Sequence, residues 1–321
     1  YKLLVLPDIE TMTPALLEKI RDLVNEGATV VGLPPVKSPG LTDFPACDEA
    51  ISNMAKELWG SFDIPAGLST RTFGSGKIIW GKELKEKADN LYPHYDITAG
   101  ILAGMGIQED FMTKASVRYT HRTMQGCDIY FVANRMENKI KENCLFRIAG
   151  KMPELWDPIT GETRVLPEYT IVNGCVEIPL EFGPYESYFV VFRNKESRAA
   201  GKNFNTKTVL ATLDAPWEVS FDPAWGGPEK IVFENLADWT QHADPGIRYY
   251  SGTAVYRQQF DLPDNTSGKI YLDLGKVKNM ARIYINGDVA GTLWTNHWQL
   301  DITDFIKPAN NDLEIEVINL W

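Results

Sequence analysis

The hydrophobic period of this chain changes near residue 117. Amphipathic helices and half-buried strands require different periods, so the two sides of that point should fold differently. On the N-terminal side, residues 2–6, Lys2-Leu3-Leu4-Val5-Leu6, make a short apolar run suited to a strand buried on both faces. Thr13-Pro14 then offers a capping side chain and a first-turn proline. Leu16, Leu17, Ile20, Leu23 and Val24 recur at helical spacing, and Gly27 supplies the stop. Ala28-Thr29-Val30-Val31-Gly32 reads as the next strand. Strand, helix and strand in that order predict a βαβ unit and a parallel sheet. Further helices are expected over 47–59 and 82–91, with a third strand over 77–80.

Beyond Ser116 the alternation is two-residue: Val117, Tyr119 and His121 interleave with Arg118, Thr120 and Arg122. Segments 129–133, 144–148, 176–180 and 188–192 are strand-like, and short strands at such spacing predict a small β-sandwich. Residues 194–208 are polar and read as a linker. Strands are expected again over 253–262, 269–274, 281–285 and 313–317. Asn286-Gly287 is the strongest hairpin signal, because both residues tolerate positive φ. A β region of about 110 residues suits a jelly roll. The expected organisation is therefore multidomain: an α/β domain over 1–122, a small β-sandwich with its linker over 123–200, and a jelly roll over 201–321.

Several function classes fall away. The formal net charge of −11, without a long basic run, disfavours a phosphate backbone as partner. No apolar run approaches the roughly 20 residues of a membrane helix. Cys47, Cys127, Cys144 and Cys175 form no C-x-x-C pair and read as singly buried thiols. Gly74-Ser75-Gly76-Lys77 mimics the end of a phosphate loop, but Arg71 stands where its first glycine belongs and Ile78 where Ser or Thr is needed. Gly104-Met105-Gly106 is followed by Glu109 rather than the third glycine of a dinucleotide fingerprint. The four histidines, His94, His121, His242 and His297, lack metal-binding spacing. Asp8 and Glu10 follow the first strand and read as helix-entry acids rather than a catalytic pair. The sequence starts within one strand-like run and stops after another, Leu313-Glu314-Ile315-Glu316-Val317, so a piece of a longer polypeptide is expected.

Thr13-Pro14-Ala15-Leu16-Leu17 through Gly27-Ala28-Thr29-Val30-Val31 resembles the amidotransferase-like (flavodoxin-like) domain of several multidomain glycoside hydrolases. The nucleophilic cysteine of true amidotransferases has no counterpart after Val30-Val31-Gly32-Leu33-Pro34, which argues against amidotransfer. Tyr119-Thr120-His121-Arg122 and Asp128-Ile129-Tyr130-Phe131-Val132-Ala133-Asn134 are also similar to those enzymes. Ser251-Gly252-Thr253-Ala254-Val255-Tyr256, Ile285-Asn286-Gly287, Gly291-Thr292-Leu293-Trp294 and Leu300-Asp301-Ile302-Thr303 resemble the galactose-binding-like jelly roll of glycoside hydrolase family 2. In their order the three parts look most like the C-terminal portion of family 106 α-L-rhamnosidases. The resemblance implies an accessory region of a carbohydrate-degrading enzyme, with a catalytic barrel preceding Tyr1 in the same chain and a secreted or periplasmic bacterial parent. A stand-alone carbohydrate-binding protein is the alternative.

Candidate site residues follow. Trp294 and Trp298 flank Thr295-Asn296-His297, an arrangement of indole faces with amide and imidazole edges that suits a sugar. Trp294, Asn296, His297 and Trp298 are therefore sugar-binding candidates, against the plainer reading that both indoles pack the sandwich. At least one indole is expected to face outward. His121 and Arg122 are candidates for an interface or substrate contact, although alternation puts them on opposite strand faces. No catalytic residue, cofactor or metal is expected. Such jelly rolls can carry calcium by analogy, but no oxygen-ligand loop stands out here.

Overall fold

A strand at the rim of a sheet pairs on one side only, and that is the position of the first apolar run. In a computed structural model that describes residues 2–85, 95–195, 200–263 and 266–319, the chain divides into compact units ending at Asp110 and starting at Phe111. In the first, β1 (Leu4–Val5) runs parallel to β2 (Thr29–Val31). Between them α1 (Pro14–Asn25) starts where the Thr13 hydroxyl accepts the Leu16 N–H at 3.4 Å. α2 (Ala46–Trp59) follows, and β3 (Ser69–Phe73) turns back antiparallel onto β4 (Gly76–Trp80), itself parallel to β2. Leu17, Ile20 and Val24 of α1 close on Ile51, Ala55, Leu58 and Trp59 of α2 and on Val30, Ile78 and Trp80 of the sheet. The Trp59 indole N–H donates to the Gly32 carbonyl at 3.0 Å.

Three expectations change here. Leu4 and Val5 are 38% and 39% exposed, so the first strand is a rim and not a doubly buried run. The sheet is mixed, because Gly74-Ser75 is a hairpin turn joining β3 to β4. Gly76 is required after that turn: a Cβ would stand 2.2 Å from the Val24 carbonyl oxygen. In place of a helix over 82–91 there is one 3₁₀ turn, Lys82–Leu84, with residues 86–91 outside the described set. α3 (Tyr95–Gly104) comes later than expected.

The second unit opens with β5 (Phe111–Met112), β6 (Val117–Met124) and β7 (Cys127–Asn134). β6 pairs with β7 along its whole length, so the period change marks a sandwich strand and the first unit ends at 110 rather than 122. β8 (Ile140–Phe146), β9 (Lys151–Trp156), β10 (Thr163–Val165), β11 (Thr170–Val172), β12 (Cys175–Phe182) and β13 (Ser187–Lys195) complete it. The sheets are ordered β10-β9-β13-β7-β6 and β11-β12-β8-β5. Alternate residues Tyr130 and Val132, Ile178 and Leu180, and Val190 and Phe192 fill the space between them. Burial pushes the Cys144 thiol up to about 12, as befits a core thiol. The expected linker is partly fixed to this core. Asn203 is 2% exposed, accepts the Glu168 N–H at 2.9 Å and donates to the Glu168 carbonyl at 2.7 Å. Residues 196–199 lie outside the described set.

The last region contains β14 (Trp217–Ser220), β15 (Ile231–Phe233), a short helix α4 (Pro245–Arg248), β16 (Thr253–Phe260), β17 (Tyr271–Asp273), β18 (Met280–Ile285), β19 (Asp288–Leu293), β20 (Gln299–Asp301) and β21 (Asn311–Ile318). Six strands form one antiparallel sheet, β15-β14-β16-β21-β18-β19, and β17 pairs with β20. Val219, Ala254, Tyr256, Ile283, Ile285, Leu313 and Ile315 face one shared core with Trp298 and Ile302. The β18–β19 hairpin has positive φ at both Asn286 and Gly287, 54° and 89°. The described residues are mostly β, arranged in several sheets.

Candidate functional site

The segment 293–299 leaves β19 and enters β20, and its side chains separate sharply. Trp294 is 58% exposed and Asn296 is exposed, whereas Trp298 is 9% exposed and packs with Leu293 and Ile302 in the jelly-roll core. The Trp298 carbonyl also accepts the Leu274 N–H at 2.8 Å. Trp298 therefore has no free face for a ring, and it leaves the set of sugar-binding candidates. The reason is the strand alternation that resumes at β20: Trp298 shares the inward side with Leu300 and Ile302. Trp294 and Asn296 together offer an apolar face and an amide edge to solvent.

His297 turns the other way. Its φ is +74°, and its Nε2 stands 3.2 Å from Oε2 of Glu186 in the preceding sandwich. Glu186 lies in the turn between β12 and β13, and Oε2 also accepts the Gly183 N–H at 2.7 Å. Burial pushes the Glu186 carboxyl up, but pairing with His297 and hydrogen bonds from Tyr188 and Gly183 outweigh it and hold it below the usual range. Neighbouring contacts continue the seam. Lys207 Nζ donates to Gln299 Oε1 at 2.8 Å and lies 3.9 Å above the Tyr271 ring centroid, while Gln299 donates to Asp273 at 2.7 Å. Lys269 pairs with Asp301 at 2.9 Å. Sequence reasoning singled out none of Gly183, Glu186 and Lys207. The Gly183-Pro184 turn signal was available, but not what the turn would touch.

His121 and Arg122 occupy opposite faces of the edge strand β6. The His121 ring stacks on Tyr130 with centroids 3.9 Å apart and planes within 12°. Its Nε2 is 3.3 Å from Asp128 Oδ1, which also accepts the Thr123 hydroxyl at 3.0 Å, and Lys151 holds the other Asp128 oxygen at 2.7 Å. Arg122 is exposed, and its guanidinium donates to the His121 carbonyl at 3.0 Å. The jelly-roll segment meets the sandwich at the 183–186 turn.

Among the described residues, no three or more His, Cys, Asp or Glu side chains are grouped to hold a metal ion. No helix there is long and apolar enough to cross a membrane. Among the described residues, the carboxyls whose pKa departs from the ordinary depart downward: Asp128, Glu168, Glu186, Asp238 and Asp301. These groups are set to remain anions, which suits ion pairing and not proton donation.

Comparison with known proteins agrees with this architecture. A galactose-binding domain-like model of glycosyl hydrolase family 2 matches residues 238–321. A Formosa agariphila protein, provisionally named a beta-glucuronidase, is 30% identical over 195 residues, which are 60% of this chain and 15% of that protein. The structure of a rhamnosidase from Novosphingobium sp. PP1Y superimposes on 100% of this chain with a TM-score of 0.78 and 31% identity. The chain spans 29% of that rhamnosidase. Residues 1–171, more than half of the 321, match the family model for alpha-L-rhamnosidases. The chain belongs to the alpha-L-rhamnosidase family, glycoside hydrolase family 106.

Proposed function

We propose that this chain is the accessory, non-catalytic portion of a larger carbohydrate-degrading glycoside hydrolase of the α-L-rhamnosidase type. The observation that carries the reading is the superposition of the whole chain on 29% of a rhamnosidase, which leaves most of that enzyme without a counterpart here. In this reading the unit ending at Asp110 is the amidotransferase-like α/β domain, on the strength of parallel β1, β2 and β4 beneath α1 and α2. The sandwich and the jelly roll follow as separate domains, and a catalytic barrel belongs elsewhere in the same polypeptide. Trp294 stacks on a sugar ring and Asn296 bonds a hydroxyl, at the end of the jelly roll where the segment 293–299 emerges.

The test is turnover by the purified chain. An aryl α-L-rhamnoside should release no aryl alcohol above the uncatalysed rate. Robust release that a single Asp or Glu substitution abolishes would overturn the accessory reading.

A further inference from the structure

A non-glycine residue pays to hold positive φ, and something outside its own segment must repay the cost. His297 does so at +74°, between the core indole of Trp298 and the exposed indole of Trp294. Its imidazole reaches out of the jelly roll to the sandwich turn, where the fit is close. A Cβ on Gly183 would stand 1.9 Å from His297 Nε2 and 2.4 Å from Cε1, so only glycine leaves room for the ring. The turn itself is fixed from behind. Asn134, 3% exposed, donates its amide to the Gly183 carbonyl at 2.7 Å and to the Asn138 carbonyl at 2.9 Å. The Asn134 backbone N–H donates to the Glu186 carbonyl at 2.9 Å. Glu186 thus stands on a braced hairpin with its carboxylate bonded to Gly183 and 3.2 Å from the buried imidazole Nε2, an ion-pair separation and not an aligned hydrogen bond.

We propose that Glu186 is a positioning residue: from the sandwich it grips His297 and so holds the segment 293–299 in the conformation that presents Trp294. That Trp294 then meets a sugar rests on the function proposed above, whereas the grip does not. Without its partner, His297 regains its ordinary preference for negative φ, a factor of about ten. The presenting conformation then falls to a minor population, and the apparent affinity of anything bound at Trp294 weakens about tenfold.

The experiment uses the whole chain with its nine tryptophans replaced by 5-fluorotryptophan. The Trp294 resonance is assigned by its loss in Trp294→Phe. In Glu186→Ala and in His297→Ala that resonance should shift or broaden while the remaining ones hold position. Asparagine tolerates positive φ, so His297→Asn, which loses the ring but keeps the backbone conformation, should leave the resonance near its original position. Should Glu186→Ala disturb every indole, His297→Ala decides by the same criterion, since it leaves the bond from the Gly183 N–H to Glu186 in place. An unmoved Trp294 resonance in Glu186→Ala and His297→Ala would overturn the proposal. Titration of the unaltered chain with methyl α-L-rhamnoside is the separate arm. If Trp294 ignores the sugar yet responds to Glu186→Ala, the grip stands and the sugar contact fails.

Discussion

Trp294 and Trp298 lie four residues apart in one segment, yet truncating them should have opposite consequences. A tryptophan side chain carries roughly 200 Å² of surface. With Trp298 9% exposed, about nine-tenths of that is shielded, worth about 4.5 kcal/mol at 25 cal/mol per Å². Trp298→Ala should therefore cost about 3–5 kcal/mol, the usual range for removing a core aromatic. Trp294 is 58% exposed, so about two-fifths of that surface is shielded, and on the same scale Trp294→Ala should cost at most about 2 kcal/mol. Urea denaturation would resolve the pair, followed by hydrogen exchange of β16 and β21, which report on the jelly roll alone. At an m-value of about 2 kcal/mol per M, Trp298→Ala should lower the midpoint of that region by about 2 M. Trp294→Ala should lower it by at most about 1 M. Equal losses would refute the assignment of one indole to the core and the other to the surface.

Two more outcomes can be stated. Asn286 holds φ +54°, donates to the Phe305 carbonyl at 2.9 Å and accepts the Asp312 N–H at 3.2 Å. Asn286→Ala loses both the conformation and the bonds, about 2–4 kcal/mol, while Asn286→Gly keeps the conformation and loses about 1–2 kcal/mol; identical urea midpoints for the two variants would remove the backbone contribution. Burial pushes the Asp128 carboxyl up, but the Lys151 ammonium and the Thr123 hydroxyl outweigh it and hold it below the usual range. A depressed carboxyl stabilises fully above its unfolded pKa of about 4, and that stability is lost as pH falls through the folded value. Thermal midpoints of the unaltered chain should thus fall more steeply below about pH 4 than those of Asp128→Asn, and parallel profiles would refute the linkage.

The sequence signals that survived are those whose physics is local. The Thr13-Pro14 start of α1, the Asn286-Gly287 turn and the alternating strands β7, β12 and β16 each depend on a few adjacent residues. β9 was illegible because Pro153 sits inside it, and a proline argues against an interior strand. The structure accommodates it beside the register shift between Phe192 and Asn194 of β13, an irregularity that no local pattern announces. The polar stretch near residue 200 looked like a tether, yet Asn203 is buried through bonds to Glu168, 35 positions earlier. At the candidate site the exposed pair Trp294 and Asn296 was legible from the polar interruption of an apolar pattern. Glu186 was not, because its role depends on a contact with His297 that spans the linker.

That long-range contact decides what the exposed indole can be worth. One aromatic stack contributes about 1 kcal/mol beyond the area it covers, a factor of about five in affinity. Trp294 alone would make a weak receptor, and a mobile one would be weaker still, because each binding event would first have to order the segment. The seam removes that cost in advance. Asn203 ties the connecting segment to the sandwich, Lys207 ties it to Gln299, and Lys269 braces Asp301 at the far end of β20. His297 against Glu186 adds a fixed point three residues from Trp294. All of these contacts precede or follow the exposed stretch 294–296 rather than lying within it. In the proposed reading the sandwich is a mount for the jelly-roll segment, holding its backbone while Trp294 stays exposed, which is the arrangement a weak contact requires to assist a stronger site.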